Sequence, residues 1–154
     1  MARVRFSSSL SPFLPSSGGT LTGKYIEGSK WSKQSDADRS LTECRHKKCP
    51  DFQPRYFFPT VQVAAEKYAA LAEKYGITPC ELALCWARDR WFNACIISGT
   101  CSLKQVEETV AAFKIDKLPE ALLKEIDVIH EEFRSPCNFF ADKPTCVEAP
   151  WLTQ

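Results

Sequence analysis

Gly18, Gly23 and Lys24, in the stretch GGTLTGKY, stand at the spacing of a phosphate-binding loop, G-x-x-x-x-G-K-[ST]. In such a loop backbone N–H groups cradle phosphate oxygens, the lysine adds a positive charge and the final hydroxyl holds Mg²⁺. In this chain Tyr25 takes the hydroxyl's place. The pattern also requires an apolar strand before the glycines and a helix starting at the lysine. The preceding residues are rich in Ser and Pro, and Gly28 follows soon after. A nucleoside-triphosphate loop is therefore disfavoured, leaving a chance match or a phosphate site of another kind.

Three other groups carry chemistry. Ser102 opens a helical pattern directly after the apolar run ACIIS and a Gly99-Thr100 turn. Free N–H groups and the helix dipole at such a terminus attract phosphate, although the same residues serve as an ordinary cap. Cys44, His46 and Cys49 have a zinc-like spacing, but no second pair lies at zinc-site distance, so a loop thiol pair is the simpler reading. Arg45, Lys47 and Lys48 beside them read as a solvated basic patch. His130 reads as a helix-flank residue rather than a catalytic base.

The elements that must position these groups emerge from periodicity. Val61, Ala64, Ala65, Tyr68, Leu71, Ala72 and Tyr75 recur at helical spacing, and Gly76 ends the run. Thr78, Pro79 and Glu81 form a capping box with proline in the first turn. They open a second helix through ELALCWARDR, which is apolar on most sides and expected to be well buried. ACIIS (94–98) reads as a strand buried on both faces. A third helix lines up Leu103, Val106, Val110 and Phe113, with Ser102 and Gln105 as a second capping box. A fourth carries Leu122, Leu123, Ile126, Ile129 and Phe133. Residues 26–58 show no period, and a loop of that length is usually functional or disordered. One doubly buried strand needs neighbours to satisfy its backbone groups. The pattern is therefore that of the end of an α/β protein whose other strands lie elsewhere.

Composition narrows the classes. The 154 residues suit one domain, and a net charge of +1 provides no field for nucleic acid or an anionic membrane. No apolar run approaches the roughly 18 residues of a membrane span. The eight cysteines are scattered through helical and strand patterns, which reads as free thiols in a reducing compartment. The cytoplasm is the expected location. The Arg- and Ser-rich start, MARVRFSSSLSPFLPSS, also has the composition of an organelle transit peptide.

Taken together, P-x-x-G-G-x-L-T-G-K-Y, F-Q-P-R-Y, I-T-P-C-E-L-A-L-C-W, I-I-S-G-T-x-S-x-x-Q-V-E-E and L-P-E-A-L-L-K-E-I-D-x-I-H resemble the aldo-keto reductases. The resemblance is to the Tas-like and potassium-channel-β-subunit-like branch and covers about Leu14 to Pro136. It implies an α/β fold, the C-terminal part of a (β/α)₈ TIM barrel, mostly helical as it stands and without the N-terminal strands. The implied organisation is a divergent or disordered segment over 1–17, a partial reductase domain over 18–136 and an irregular tail over 137–154.

The resemblance also implies NADP(H) as cofactor and a small carbonyl compound as substrate, reduced by hydride transfer. Pro15, Ser17 and Gly18 would run beside the cofactor, with Lys24 near the pyrophosphate. Arg39, in the long loop, would reach the same pyrophosphate. Gly99 and Cys101 would supply backbone at the adenosine 2′-phosphate, and Gln105, Glu108 and Thr109 would contact the adenine end. Thr109 replaces the family's usual Asn, and no arginine stands at the 2′-phosphate position. The family's catalytic Tyr, Lys, Asp and His match nothing in this chain, so no catalytic residue is assigned. The alternative reading is a non-catalytic fragment or interaction module. Weak or absent NADPH binding by this chain alone is expected.

Overall fold

The computed structural model describes residues 15–32 and 53–137. Four α-helices dominate them: α1 (Pro59–Lys74), α2 (Pro79–Arg88), α3 (Leu103–Phe113) and α4 (Glu120–Glu132). Short 3₁₀ turns at Ser17–Thr22, Lys30–Ser32 and Pro54–Phe57 precede them.

Local chemistry sets the helix ends. Pro59 occupies the first turn of α1, where its missing N–H costs nothing. At the other end Gly76 takes φ +72°, its N–H donates to Glu73 O at 3.0 Å, and Ile77 N–H donates to Ala72 O at 3.1 Å. This paired pattern is a Schellman motif, which needs the left-handed residue glycine provides. The capping box of α2 forms as expected. Thr78 Oγ1 accepts from Glu81 N–H at 3.1 Å, and the Glu81 carboxylate accepts from Thr78 N–H at 2.7 Å.

The core lies where α1, α2 and α4 meet. Leu71, Ala72, Leu82, Cys85, Leu118, Leu122 and Ile126 are buried together, with Tyr68, Tyr75, Ile77, Ile115, Leu123 and Ile129 packed around them. Lys67–Glu132 and Lys74–Glu125 pairs cross from α1 to α4 on the surface. Exposed pairs of this kind add little stability. The Ser17–Thr22 turn packs on α1 and α2, and α3 packs on α2.

One expectation needs correction, and one helix face lies where periodicity alone did not place it. Residues 94–98 do not form a strand; only Asn93 and Ile97 make isolated bridges, and Ile97 is 46% exposed. An apolar run becomes a buried strand only when flanking strands satisfy its backbone, and no extended strand occurs among the described residues. The apolar face of α3 is likewise turned outward. Leu103, Val106, Val110 and Phe113 are all exposed, while the only buried residue of the helix is Ala112. The small side of α3 makes the close approach to α2, so the large side faces away.

The cysteine expectation is met at Cys85, a fully buried free thiol that donates to Ala112 O at 3.3 Å. Cys80 and Cys137 are free and half-buried, whereas Cys95 and Cys101 are exposed. Cys44, His46, Cys49 and Cys146 lie outside the described residues. Among the described residues no helix is long and apolar enough to cross a membrane, and no cluster of metal-ligating side chains occurs.

Candidate phosphate-facing site

The stretch that resembled a phosphate loop is a tight left-handed turn. Ser17, Gly18 and Gly19 have φ of +51°, +67° and +95°. Gly19 N–H and Leu21 N–H both donate to Ser16 O, at 2.9 and 3.1 Å. The Gly18-Gly19 pair matters because an L-residue pays a steric cost in this region. Gly19 also leaves room for a neighbour: a Cβ there would lie 2.6 Å from Lys24 Cε and 3.0 Å from Lys24 Nζ. The Lys24 chain is thus folded back over the glycine, with its ammonium 5.0 Å from the Tyr25 ring centroid.

Tyr25 acquires a packing role. Its ring meets Phe57 edge-on at 5.1 Å, joining this turn to the Pro54–Phe57 turn. Gly23, at φ +79°, lets Trp31 approach; a Cβ there would meet Trp31 Cβ at 3.0 Å. Neither feature belongs to a Mg²⁺-holding loop, and Lys24 lies in a turn rather than at a helix start. Thr20 is only 1% exposed, and its hydroxyl has no hydrogen-bond partner among the described residues. Sequence reasoning missed Gly19 and Thr20. The double glycine was the available signal for the first, and nothing marked the second.

The second part of the site is the N-terminus of α3. Ser102 Oγ accepts from Gln105 N–H at 3.3 Å, completing half of the expected capping box. The other half is diverted: Gln105 Oε1 accepts from Cys101 N–H at 2.9 Å. Thr109 Oγ1 donates to Gln105 O at 2.8 Å, the back-bond typical of a helical threonine. Lys104 and Glu108 are 3.9 Å apart on the exposed side. Gly99 is exposed in the coil before this terminus. Pro15, Ser17, Gly18 and Lys24 lie together in the first turn, half-buried. Arg39 lies outside the described residues.

Cys80, in the first turn of α2, stands between the two parts. Burial first, and then the Glu108 and Glu81 carboxylates, push its thiol up to about 11, with the Lys24 ammonium opposing them. Lys24 from the left-handed turn and Glu108 from α3 therefore act on one thiol. The structural link between these segments, far apart in sequence, is α2, on which both the Ser17–Thr22 turn and α3 pack. His130 is exposed in the last turn of α4.

Comparison with known proteins gives this geometry a context. The model of the aldo/keto reductase family matches residues 9–131. The chain belongs to the aldo/keto reductase family. Protein tas of Escherichia coli (strain K12) is 28% identical over 118 residues, covering 77% of this chain and 31% of that protein. A Schizosaccharomyces pombe protein named as a voltage-gated potassium channel subunit beta is 32% identical over 117 residues, with 75% and 32% covered. The aldo-keto reductase yakc [NADP(+)] of the same yeast is 31% identical over 114 residues, with 74% and 30% covered. This aldo/keto reductase chain spans about a third of the length of the curated relatives it matches. The branch suggested by the motifs, Tas-like and potassium-channel-β-subunit-like, is represented among them.

Proposed function

We propose that residues 18–136 are the cofactor-facing, C-terminal part of a (β/α)₈ aldo/keto reductase barrel that uses NADP(H), flanked by a divergent segment over 1–17 and a tail over 137–154. The observation that carries this reading is that the glycine turn and α3 both pack on α2 within the span matched by the aldo/keto reductase family. The NADP(+) in the name of the yakc relative supports the choice of cofactor.

The fit of a dinucleotide is good at one end and partial at the other. At the first turn, Lys24 offers an ammonium for a pyrophosphate, and the buried Thr20 hydroxyl lacks a partner among the described residues. At α3, the N-terminal N–H groups and the helix dipole favour a phosphate. The Gln105 side chain, however, is engaged with Cys101, so it must rotate away before meeting a ribose phosphate. Bound NADPH supplies a hydride to a carbonyl carbon. In this reading the chain's own residues do the binding: Pro15, Ser17 and Gly18 line the cofactor, Lys24 and Arg39 neutralise its pyrophosphate, and Gly99, Cys101, Gln105, Glu108 and Thr109 hold its adenosine end. No residue of this chain is assigned to proton transfer, and the chain alone is expected to bind weakly and not to turn over. Its substrate in the whole protein would be a small aldehyde or ketone.

NMR titration of the chain with NADPH tests this. Shifts should concentrate at 17–24 and 99–109, with affinity in the ~mM class, equivalent to about 4 kcal/mol of binding energy. A K24A variant should lose the shifts at 17–24. No response at either segment, or a response centred on α4, would refute the assignment. A second reading, a non-catalytic interaction module, is favoured by the outward apolar face of α3. It gains if the chain ignores NADPH yet oligomerises or captures a partner through that face.

A further inference from the structure

Helix α3 poses a physical problem. It buries a single residue, Ala112, while four large apolar side chains on its other face are exposed. Hydrophobic burial therefore holds it weakly, and some other interaction must fix its pose. That interaction is concentrated at its C-terminal end, where the last carbonyls of any helix lack intrahelical donors.

Arg88, at the end of α2, reaches across to the last two carbonyls of α3 and to two more just beyond it. Its Nη1 donates to Ile115 O at 2.7 Å, Phe113 O at 3.3 Å and Ala112 O at 3.4 Å, and its Nη2 donates to Asp116 O at 3.2 Å. Asp89 braces the guanidinium from the other side, accepting from Nε at 2.7 Å and Nη2 at 3.2 Å. The same carboxylate accepts from Leu118 N–H at 3.2 Å, just ahead of α4. Both side chains are largely shielded, at 20% and 13% exposed. A planar fork that fills several acceptors at once is a task for arginine rather than lysine. The charge also complements the negative end of the helix dipole.

We infer that Arg88, braced by Asp89, is a positioning residue: by clamping the carbonyls at and just after the C-terminus of α3 it sets the pose of the whole helix, and with it the Cys101–Thr109 surface at the opposite end. The clamp rests on the geometry alone; only its link to a cofactor rests on the proposed function. Burial acts to raise the Asp89 pKa, but the hydrogen bonds from Arg88 and Leu118 overcome it and hold the carboxyl below its usual range. The brace is therefore ionised at neutral pH.

Amide hydrogen exchange followed by NMR, on wild type, R88M, R88K and the milder D89N, tests the inference. In R88M the protection of amides from Val106 to Ala112 should fall about tenfold or more, while α1 and α4 keep theirs, as expected for release of one local unit. R88K should restore little of it, because an ammonium cannot fork. D89N should show a smaller loss of the same pattern and serves as the test should R88M not fold. L122A, which weakens the shared core, provides the contrast: its loss should spread over α1, α2 and α4. If the R88M loss is confined to 112–118, or is as uniform as that of L122A, the positioning role is wrong. NADPH titration of the same samples should show the shifts at 99–109 lost in R88M and those at 17–24 retained. If wild type gives no NADPH shifts at all, the cofactor reading fails, while the exchange pattern still decides the role of Arg88.

Discussion

The left-handed turn at Gly19 is sensitive to a single methyl group. Replacing Gly19 with Ala puts a Cβ on a residue at φ +95°, 2.6 Å from Lys24 Cε, 3.0 Å from Lys24 Nζ and 3.6 Å from Tyr25 Cε2. Holding an L-residue in left-handed backbone costs about 1–2 kcal/mol. Loss of glycine's freedom in the unfolded chain returns about 0.4–1 kcal/mol. The net effect is a destabilisation of about 1 kcal/mol. The steric overlap should add little, because it falls on the far end of a flexible lysine that can swing away. Urea unfolding of wild type, G19A, K24A and the double variant separates the two effects. G19A should cost nearly the same with or without Lys24, with a coupling below about 0.5 kcal/mol. It should nevertheless weaken the NADPH response at 17–24, because Lys24 has been displaced. A neutral or stabilising G19A would mean that Gly19 does not adopt this backbone. A coupling well above 1 kcal/mol would mean that Lys24 is packed rigidly over the turn and cannot swing away, which would refute the expectation of a small steric cost.

Two further outcomes follow from burial. L122A, at a side chain 1% exposed in the shared core, should cost about 2–5 kcal/mol, whereas V128A, 68% exposed on the same helix, should stay within about 0.5 kcal/mol; equal costs in urea unfolding would contradict the packing of α4. The Cys80 pKa is raised in the folded state, to about 11, so its contribution to stability is full below the unfolded value near 9 and is lost as pH rises through 9 to 11. C80S should therefore unfold with a shallower dependence on pH over that window, by at most about 2 kcal/mol, and an unchanged slope would show the thiol to be solvated.

What the sequence made legible was local. The α1 face at Val61, Ala64, Ala65, Leu71 and Ala72 is buried as its periodicity demanded, and Gly76, Thr78 and Glu81 end and begin helices through bonds their side chains or backbone can make alone. What was not legible depended on partners. Ile97 and Val110 have the residue types of buried positions, but their burial requires other elements to cover them, and periodicity cannot say which side a helix turns inward. The Arg88 clamp was equally hidden, because its acceptors are backbone carbonyls 24 to 28 residues away and carry no residue-type signal. At the candidate site the glycines and Lys24 were visible as a pattern. The engagement of Gln105 with Cys101 was not, since a capping box and its diversion share one spelling. The family resemblance was readable because it summed several motifs in order rather than relying on any one.

The outward apolar face of α3 has a thermal consequence. Unfolding normally raises heat capacity by about 12–15 cal/mol/K per residue, because buried apolar groups become hydrated. Leu103, Val106, Val110 and Phe113 already meet water in the folded chain, so they contribute less to that increase. The stability curve should be flatter than the chain length suggests, with less curvature toward cold. Anything that covers this face would steepen the curve, so calorimetry can register coverage without knowing what supplies it.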